Sequence, residues 1–323
     1  MQLRFQDKEH FFHDTAQMLR SGIPLQRAWE HLAAGRDRAA AAARAAAPLV
    51  NQKLDAALKA AGFSIVDREI FAAGEQSGRL EEACRELADY YAHLAKGRKR
   101  AVAASLYPVF ILHLAALLLS TPPAIIDGSI SSFVKHVAFF LGTAYLFGGC
   151  FVLLFWTLAR LFQSSAAADR LIRRIPVVGG FFRDAALARF CLVLSLGIRS
   201  ADGVLSSLRR AGRASKSACA EEAAVAAIPA IRSGTGFADS LATSRAFPVD
   251  LERAFRVAEA SGRLEEEITR WAGIYRDRFF QRVDSLTEWL PRILYLLIVA
   301  IVVVRMFSLI AQITGAYSAV FDM

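Results

Sequence analysis

The sequence predicts an all-α integral membrane protein, built as two homologous cytoplasmic helical bundles and three transmembrane helices. Three observations predict it. Residues Glu75-Gln76-Ser77-Gly78-Arg79-Leu80-Glu81-Glu82 return 184 positions later as Glu259-Ala260-Ser261-Gly262-Arg263-Leu264-Glu265-Glu266, with one difference in eight. Each copy opens a long amphipathic pattern that passes a basic stretch and a proline into an apolar run, as a duplicated structural unit would. Hydrophobic residues make up 55% of the 323 positions and mean hydropathy is +0.34, high for a chain with all its surface in water. Three apolar runs reach the ~20 residues that a helix needs to cross a bilayer.

These observations divide the chain into four segments: residues 1–100 as the first bundle, 101–162 as a hairpin of two spans with a short outer loop at 127–136, 163–289 as the second bundle and internal repeat of the first, and 290–323 as the third span with a short outer tail. In the first bundle, Phe11, Phe12, Thr15, Ala16 and Leu19 recur at helical spacing until Ser21-Gly22 breaks the pattern. Pro24 suits the first turn of a second helix carrying Leu25, Ala28, Trp29 and Leu32. Ala39 to Ala47 has high helix propensity and little bulk, so it is either a closely packed helix or a solvated one. Pro48 opens a helix that Gly62 stops, and a short helix over Val66 to Ala73 leads into the repeated motif.

In that motif Gly74 and Gly78 are expected to relax the backbone between two helices. Glu81 and Glu82 fall in the first turn of the next helix, where the dipole favours negative charge. Its apolar stripe is Ala83/Cys84, Leu87, Tyr91 and Leu94. Glu75 admits two readings: a local cap or ion pair with Arg79, or an interaction site. The residues singled out for partner coupling or packing are Glu75, Ser77, Gly78 and Leu80 in one copy, with Glu259, Ser261, Gly262 and Leu264 in the other.

Ala101 to Ile126 is free of Asp, Glu, Lys and Arg, holds Pro108 early, and is closed by Pro122-Pro123. His113 is its one titratable side chain; a neutral histidine is cheap to bury, which favours a structural role. A linker with Asp127, Gly128, Ser129, Lys135 and His136 precedes the second run, Val137 to Phe162. Lys96, Arg98, Lys99 and Arg100 flank one end of the hairpin and Arg170, Arg173 and Arg174 the other. By the positive-inside rule the linker faces outward and both large segments face the cytoplasm. In the second bundle Leu187, Phe190, Cys191 and Leu194 share a helical face, and Gly197-Ile198 echoes Gly22-Ile23 at an offset of 175, implying a nine-residue insertion. Further helices are expected over Val204–Ala211, Lys216–Arg232, Ala238–Thr243 and Val249–Glu259. Leu264, Ile268, Trp271, Tyr275, Phe279, Val283 and Leu286 mark the last amphipathic helix, which leads past Pro291 into Ile293 to Ile313. Arg305 interrupts that span; it either snorkels to the outer interface or pairs inside an assembly.

The net charge of +9 concentrates beside apolar runs, which reads as topology rather than as a nucleic-acid surface. Cys84, Cys150, Cys191 and Cys219 are scattered without a CxxC pair, as small apolar residues in a reducing compartment are. No apolar core follows Arg4, Asp7, Lys8 and Glu9, so no cleavable signal peptide is expected. His10 and His13 lie one turn apart beside Asp14 without a further ligand in reach of the pattern, so no metal is expected. With no GxxxxGK[ST] phosphate loop and no GxSxG nucleophile, no cofactor, catalytic residue or enzymatic activity is expected. A small-solute transporter or channel subunit is the alternative class, although transport normally places charges on several spans.

The duplicated Glu-x-Ser-Gly-Arg-Leu-Glu-Glu motif ahead of each proline-bearing span resembles the type II secretion F-domain family. So do Arg174-Ile175-Pro176-Val177-Val178-Gly179 running into Ala188-Arg189-Phe190, and Leu19-Arg20-Ser21-Gly22-Ile23-Pro24-Leu25. The resemblance covers nearly the whole chain. It departs at Arg199-Ser200, where Pro-Leu is expected, at Glu288-Trp289-Leu290-Pro291, where Glu and Pro are usually adjacent, and at Arg305. It implies an inner-membrane assembly platform of a type II secretion, type IV pilus or competence machine, with the N-terminus and second bundle cytoplasmic and the C-terminus outside. The implied partners are a hexameric secretion or pilus ATPase, pilin or pseudopilin subunits, other inner-membrane platform proteins and further copies of the chain.

Overall fold

Phe11, Phe12, Thr15 and Ala16 bury one face of α1 (Phe5–Arg20), and Gly22 ends it at φ +78°. The structure, a computed structural model, describes residues 3–50, 54–173, 175, 178–198, 203–244 and 246–321. The chain is 87% helical, with no strand among the described residues. Arg174, Pro176, Val177, Arg199 and Ser200, which figured in the sequence motifs, lie outside them.

After α1 come α2 (Leu25–Ala33), α3 (Arg38–Ala46), a 3-10 turn at Ala47–Leu49, α4 (Leu54–Ala60), α5 (Ile65–Gln76) and α6 (Leu80–Asp127). Pro24 caps α2 from just outside its first turn, and Pro48 lies in the 3-10 turn. The alanine-rich segment proves to be a packed helix: Ala39, Ala40, Ala42, Ala43 and Ala46 of α3 are all buried. Next follow α7 (Ile130–Ser164), α8 (Ala166–Ile172), α9 (Val178–Gly197), α10 (Gly203–Ser215), α11 (Ala218–Arg232), α12 (Phe237–Ala242), α13 (Val249–Ala260) and α14 (Leu264–Phe321).

One compact unit comprises residues 1–96 and 158–283, and a second comprises 97–157 and 284–323. Within the first, both halves of the duplication share a single hydrophobic core. α5 and α13 coincide end to end at the offset of 184, as do the starts of α6 and α14. Earlier in each half the register is set by an aromatic pair. Phe11 meets Phe63 at 4.8 Å between ring centroids, and Phe190 meets Phe247 at 4.9 Å with nearly the same tilt. Phe11 and Phe190 are 179 positions apart, so the insertion in the second half is five residues rather than nine. The longer register rested on equating Gly197 with Gly22. Gly197 is helical, and a Cβ there would stand 2.6 Å from the Ser207 hydroxyl, whereas Gly22 turns the chain in open space. One glycine permits close helix approach and the other a left-handed turn, a difference invisible in the letters.

In the second unit, Leu112 and Ala116 of α6, Phe140 and Ala144 of α7, and Ile298 of α14 form a small core, with alanines letting helices approach as membrane helices do. His113 donates from Nδ1 to the Val109 carbonyl at 2.8 Å and shares a hydrogen bond between Nε2 and the Tyr145 hydroxyl at 3.1 Å, so it ties α6 to α7. Pro122-Pro123 does not end the helix: α6 continues to Asp127 and stops at Gly128 with φ +59°. The missing N–H of Pro122 would leave the Leu118 carbonyl unpaired; the Thr121 hydroxyl donates to it at 2.7 Å. The connection to α7 is only Gly128-Ser129, and Lys135 and His136 are already helical. Leu80–Pro122, Ile130–Gln163 and Leu264–Ser308 are long and apolar enough to cross a membrane. At most 17% of their most apolar windows is buried within the protein, which leaves lipid or other helices to cover the rest.

Candidate functional site: the paired helix junctions

Each copy of the repeated motif is a helix-ending turn followed at once by a helix start. At the end of α5 the Gly78 N–H donates to the Glu75 carbonyl at 3.1 Å and the Arg79 N–H to Gly74 at 2.7 Å. At the end of α13 the Gly262 N–H donates to Glu259 at 3.2 Å and the Arg263 N–H to Ala258 at 2.8 Å. These are the two crossed bonds of a Schellman cap, with glycine in the left-handed position at φ +70° and +69°. Ser77 and Ser261 each turn a hydroxyl back onto a carbonyl of the final turn, Ala73 at 2.7 Å and Ala258 at 3.1 Å. Leu80 and Leu264 pack against the shared core. Glu81, Glu82, Glu265 and Glu266 then stand in the first turns of α6 and α14, where unpaired N–H groups favour them.

Gly74 departs from its expected role as a turn residue. It lies inside α5, and a Cβ on it would come within 2.5 Å of the Ala83 side chain; it is small so that α5 and α6 can touch.

The two acids that open the motif part ways. Glu259 receives the Phe237 N–H at 2.6 Å on Oε1 and the Ala238 N–H at 2.9 Å on Oε2, so its carboxylate closes the N-terminus of α12. Glu75 is exposed, and Arg79 is engaged elsewhere: its guanidinium grips Glu82 at 2.7 Å and donates to the Ser195 carbonyl at 3.1 Å. Although Glu75 is exposed, its carboxyl is partly desolvated by neighbouring groups, which raises its pKa above the ordinary carboxylate value, with Arg210 opposing.

Between the halves of the first unit lies a cleft of about 230 Å³ beside these junctions. Its apolar wall includes Val66, Ile70 and Leu192; Glu82, Glu86, Arg189 and Arg276 give it charge. Arg276 donates from one nitrogen to both oxygens of Glu86 at 2.9 Å, and Nε of Arg189 is buried without an acceptor. Glu86 and Arg276 are 190 positions apart in sequence, and nothing local signalled their meeting. Below the cleft, Glu69 pairs with Arg213 at 2.8 Å and Arg210 at 3.5 Å. His13 shares a hydrogen bond with Gln17 at 2.8 Å.

A duplicated helical membrane protein with three spans and a matched pair of helix junctions is the class these features define. The chain belongs to the type II secretion system protein F family, whose sequence profile matches residues 11–121 and again 190–311. Those two starts are 179 positions apart, the register of the aromatic pairs. Among its relatives are the type II secretion system protein F of Vibrio cholerae, 26% identical over 69% of this chain and 59% of the relative, and that of Aeromonas hydrophila, 26% identical over 68% and 61%. A type 4 fimbrial assembly protein, PilC of Pseudomonas putida, is 26% identical over 95% of this chain and 83% of its own length. The chain thus spans about 60% of the two secretion relatives it matches.

Proposed function

We propose that the protein is an inner-membrane assembly platform of a type II secretion or type IV pilus-like machine, coupling a cytoplasmic hexameric ATPase to the assembly of pilin or pseudopilin subunits. The observation that carries this reading is the family match to both halves, each running from a helical bundle through its junction into a span. The names of the relatives, secretion protein F and pilus assembly protein, support the same reading. Both bundles face the cytoplasm in this arrangement, while Gly128-Ser129 and the C-terminus lie outside; the arginines and lysines flanking the spans support it. The platform contains several copies of the chain beside other inner-membrane platform proteins. Its step is conformational, with the ATPase supplying the work and no bond made or broken here.

The two junction acids then differ in task. Glu259 is committed to α12, and exposed Glu75 is the one offered to a partner. In cells producing the machine, Glu75→Gln should reduce fibre assembly and co-purification of the ATPase several-fold while leaving the protein's melting temperature unchanged. Intact assembly and intact ATPase association would remove Glu75 from the coupling surface. A periplasm-active reporter fused at Gly128 should be active and one fused at Ser217 silent; the reverse pattern would invert the topology.

A further inference from the structure

Arg305 is a permanent charge in the most apolar part of α14, and no hydrogen bond or ion pair engages it among the described residues. Its own spans cannot supply one, because 101–126, 137–162 and 293–313 contain no Asp or Glu. Depth excludes the near headgroups. Arg292, stacked on the Trp289 ring at 5.3 Å, marks one interface. Arg305 follows 13 positions later, about 20 Å along the helix at 1.5 Å per residue. In a hydrocarbon layer of about 30 Å it is also about 10 Å short of the far side. An unneutralised guanidinium there marks a functional site by default.

Arg305 borders a groove of about 440 Å³ between α7 and α14. Phe139, Phe147, Leu297 and Val304 form its apolar walls, and Thr143 and Ser308 add hydroxyls. The Thr143 hydroxyl is already spent on the Phe139 carbonyl at 2.7 Å. The shape and apolarity suit a packed helix, and the single unmet charge specifies what that helix carries.

We propose that this groove receives a membrane-spanning helix of another protein bearing one Asp or Glu near its midpoint, whose carboxylate closes on Arg305. A second copy of this chain does not fit, since its spans hold no acid. The inference rests on α14 crossing the membrane and not on the machine proposed above, so either can fail alone.

The test uses the full-length protein in phosphatidylcholine vesicles with a fluorescent leucine-rich transmembrane peptide carrying a central Glu, and its Gln and Leu twins. Energy transfer to an acceptor at the protein's C-terminus reads association. The Glu peptide should associate about tenfold more tightly than the Leu twin, the span expected of a strong polar contact between membrane helices. Arg305→Lys should keep that preference and Arg305→Leu should abolish it with helical circular dichroism unchanged. Ala300→Trp, which narrows the groove without altering charge, should weaken binding of all three peptides. Equal association of the Glu and Leu peptides, or a preference that survives Arg305→Leu, would overturn the proposal. So would loss of the preference in phosphatidylglycerol vesicles together with Arg305-dependent retention of that lipid in native mass spectra, which would assign the charge to a headgroup phosphate.

Discussion

Glu75 and Glu259 hold the same place in two copies of one motif, and their surroundings give them different work. A carboxylate that receives two backbone N–H groups at a helix start is a cap, and replacing a good cap by alanine costs roughly 0.5–2 kcal/mol. Glu259→Ala should therefore destabilise the detergent-solubilised protein by about 1 kcal/mol, while Glu75→Ala should change it by less than about 0.5 kcal/mol; denaturant titration followed by circular dichroism separates the two. Much at this scale was legible in the sequence. Gly78, Gly262 and the serines before them specify a helix-ending turn through local chemistry alone. What the letters did not carry was distance: the amides that Glu259 caps lie 22 and 21 positions earlier, and the Glu86–Arg276 pair bridges the two halves. Gly74 and Gly197 depart from their expected roles for a related reason, since a glycine kept small for a neighbour is spelled like a glycine kept for a turn.

At the scale of the element, α5 and α13 are equal in length and different inside. Asp67 of α5 is fully buried; it receives Lys8 Nζ at 2.7 Å, the Tyr91 hydroxyl, and both the N–H and hydroxyl of Ser64. Burial, with the Asp67 carboxylate beside it, holds the Tyr91 phenol well above its ordinary pKa, so it stays a donor. In the registers fixed by the aromatic pairs and the motif, the counterparts of Lys8, Asp67 and Tyr91 are Leu187, Leu251 and Tyr275, each 1% exposed. Pro248 stands where Ser64 does and has no N–H to satisfy. One half thus uses an ion pair where the other uses two leucines. Lys8→Leu alone should cost about 3–5 kcal/mol by stranding a buried carboxylate. Lys8→Leu with Asp67→Leu and Ser64→Pro should recover most of that, as apolar replacement of a buried pair usually does. Thermal melts of the two variants decide it; equal losses would show that the pair is not interchangeable with the leucines.

For the whole molecule, charged side chains as well as the core meet across the halves of the first unit, as Glu69 does with Arg213 and Arg210. Burial raises the Glu69 pKa above its ordinary 4.5, and Arg213 and Arg210 offset only part of that rise. A carboxyl raised on folding contributes stability that is full below its unfolded pKa and is lost as pH climbs through the folded one. Glu75 and Glu252 are raised in the same direction, also by burial. Glu69→Gln should therefore flatten the fall in melting temperature as pH rises above 4.5; an unchanged slope would place the titration elsewhere. At this scale the all-helical class, the duplication and the three apolar spans followed from periodicity and composition. The merging of both halves into one core did not, because an amphipathic stripe such as Ala83, Cys84, Leu87 and Tyr91 states that it must be covered without naming what covers it.

The unequal interiors of α5 and α13 bear on how the chain assembles during synthesis. Duplicated halves risk exchanging equivalent segments, a characteristic failure of repeated architectures. The aromatic contacts would not prevent this, since Phe11–Phe63 and Phe190–Phe247 have nearly the same geometry and a crossed pairing would satisfy both. Charge breaks the tie. Docking α1 on α13 would bury Lys8 against Leu251, and docking α9 on α5 would bury Asp67 against Leu187, each an ion without its partner. The salt bridge acts as an address label telling each first helix which half it was made for, and the leucine variant, though stable once folded, should refold in lower yield because the label has been erased.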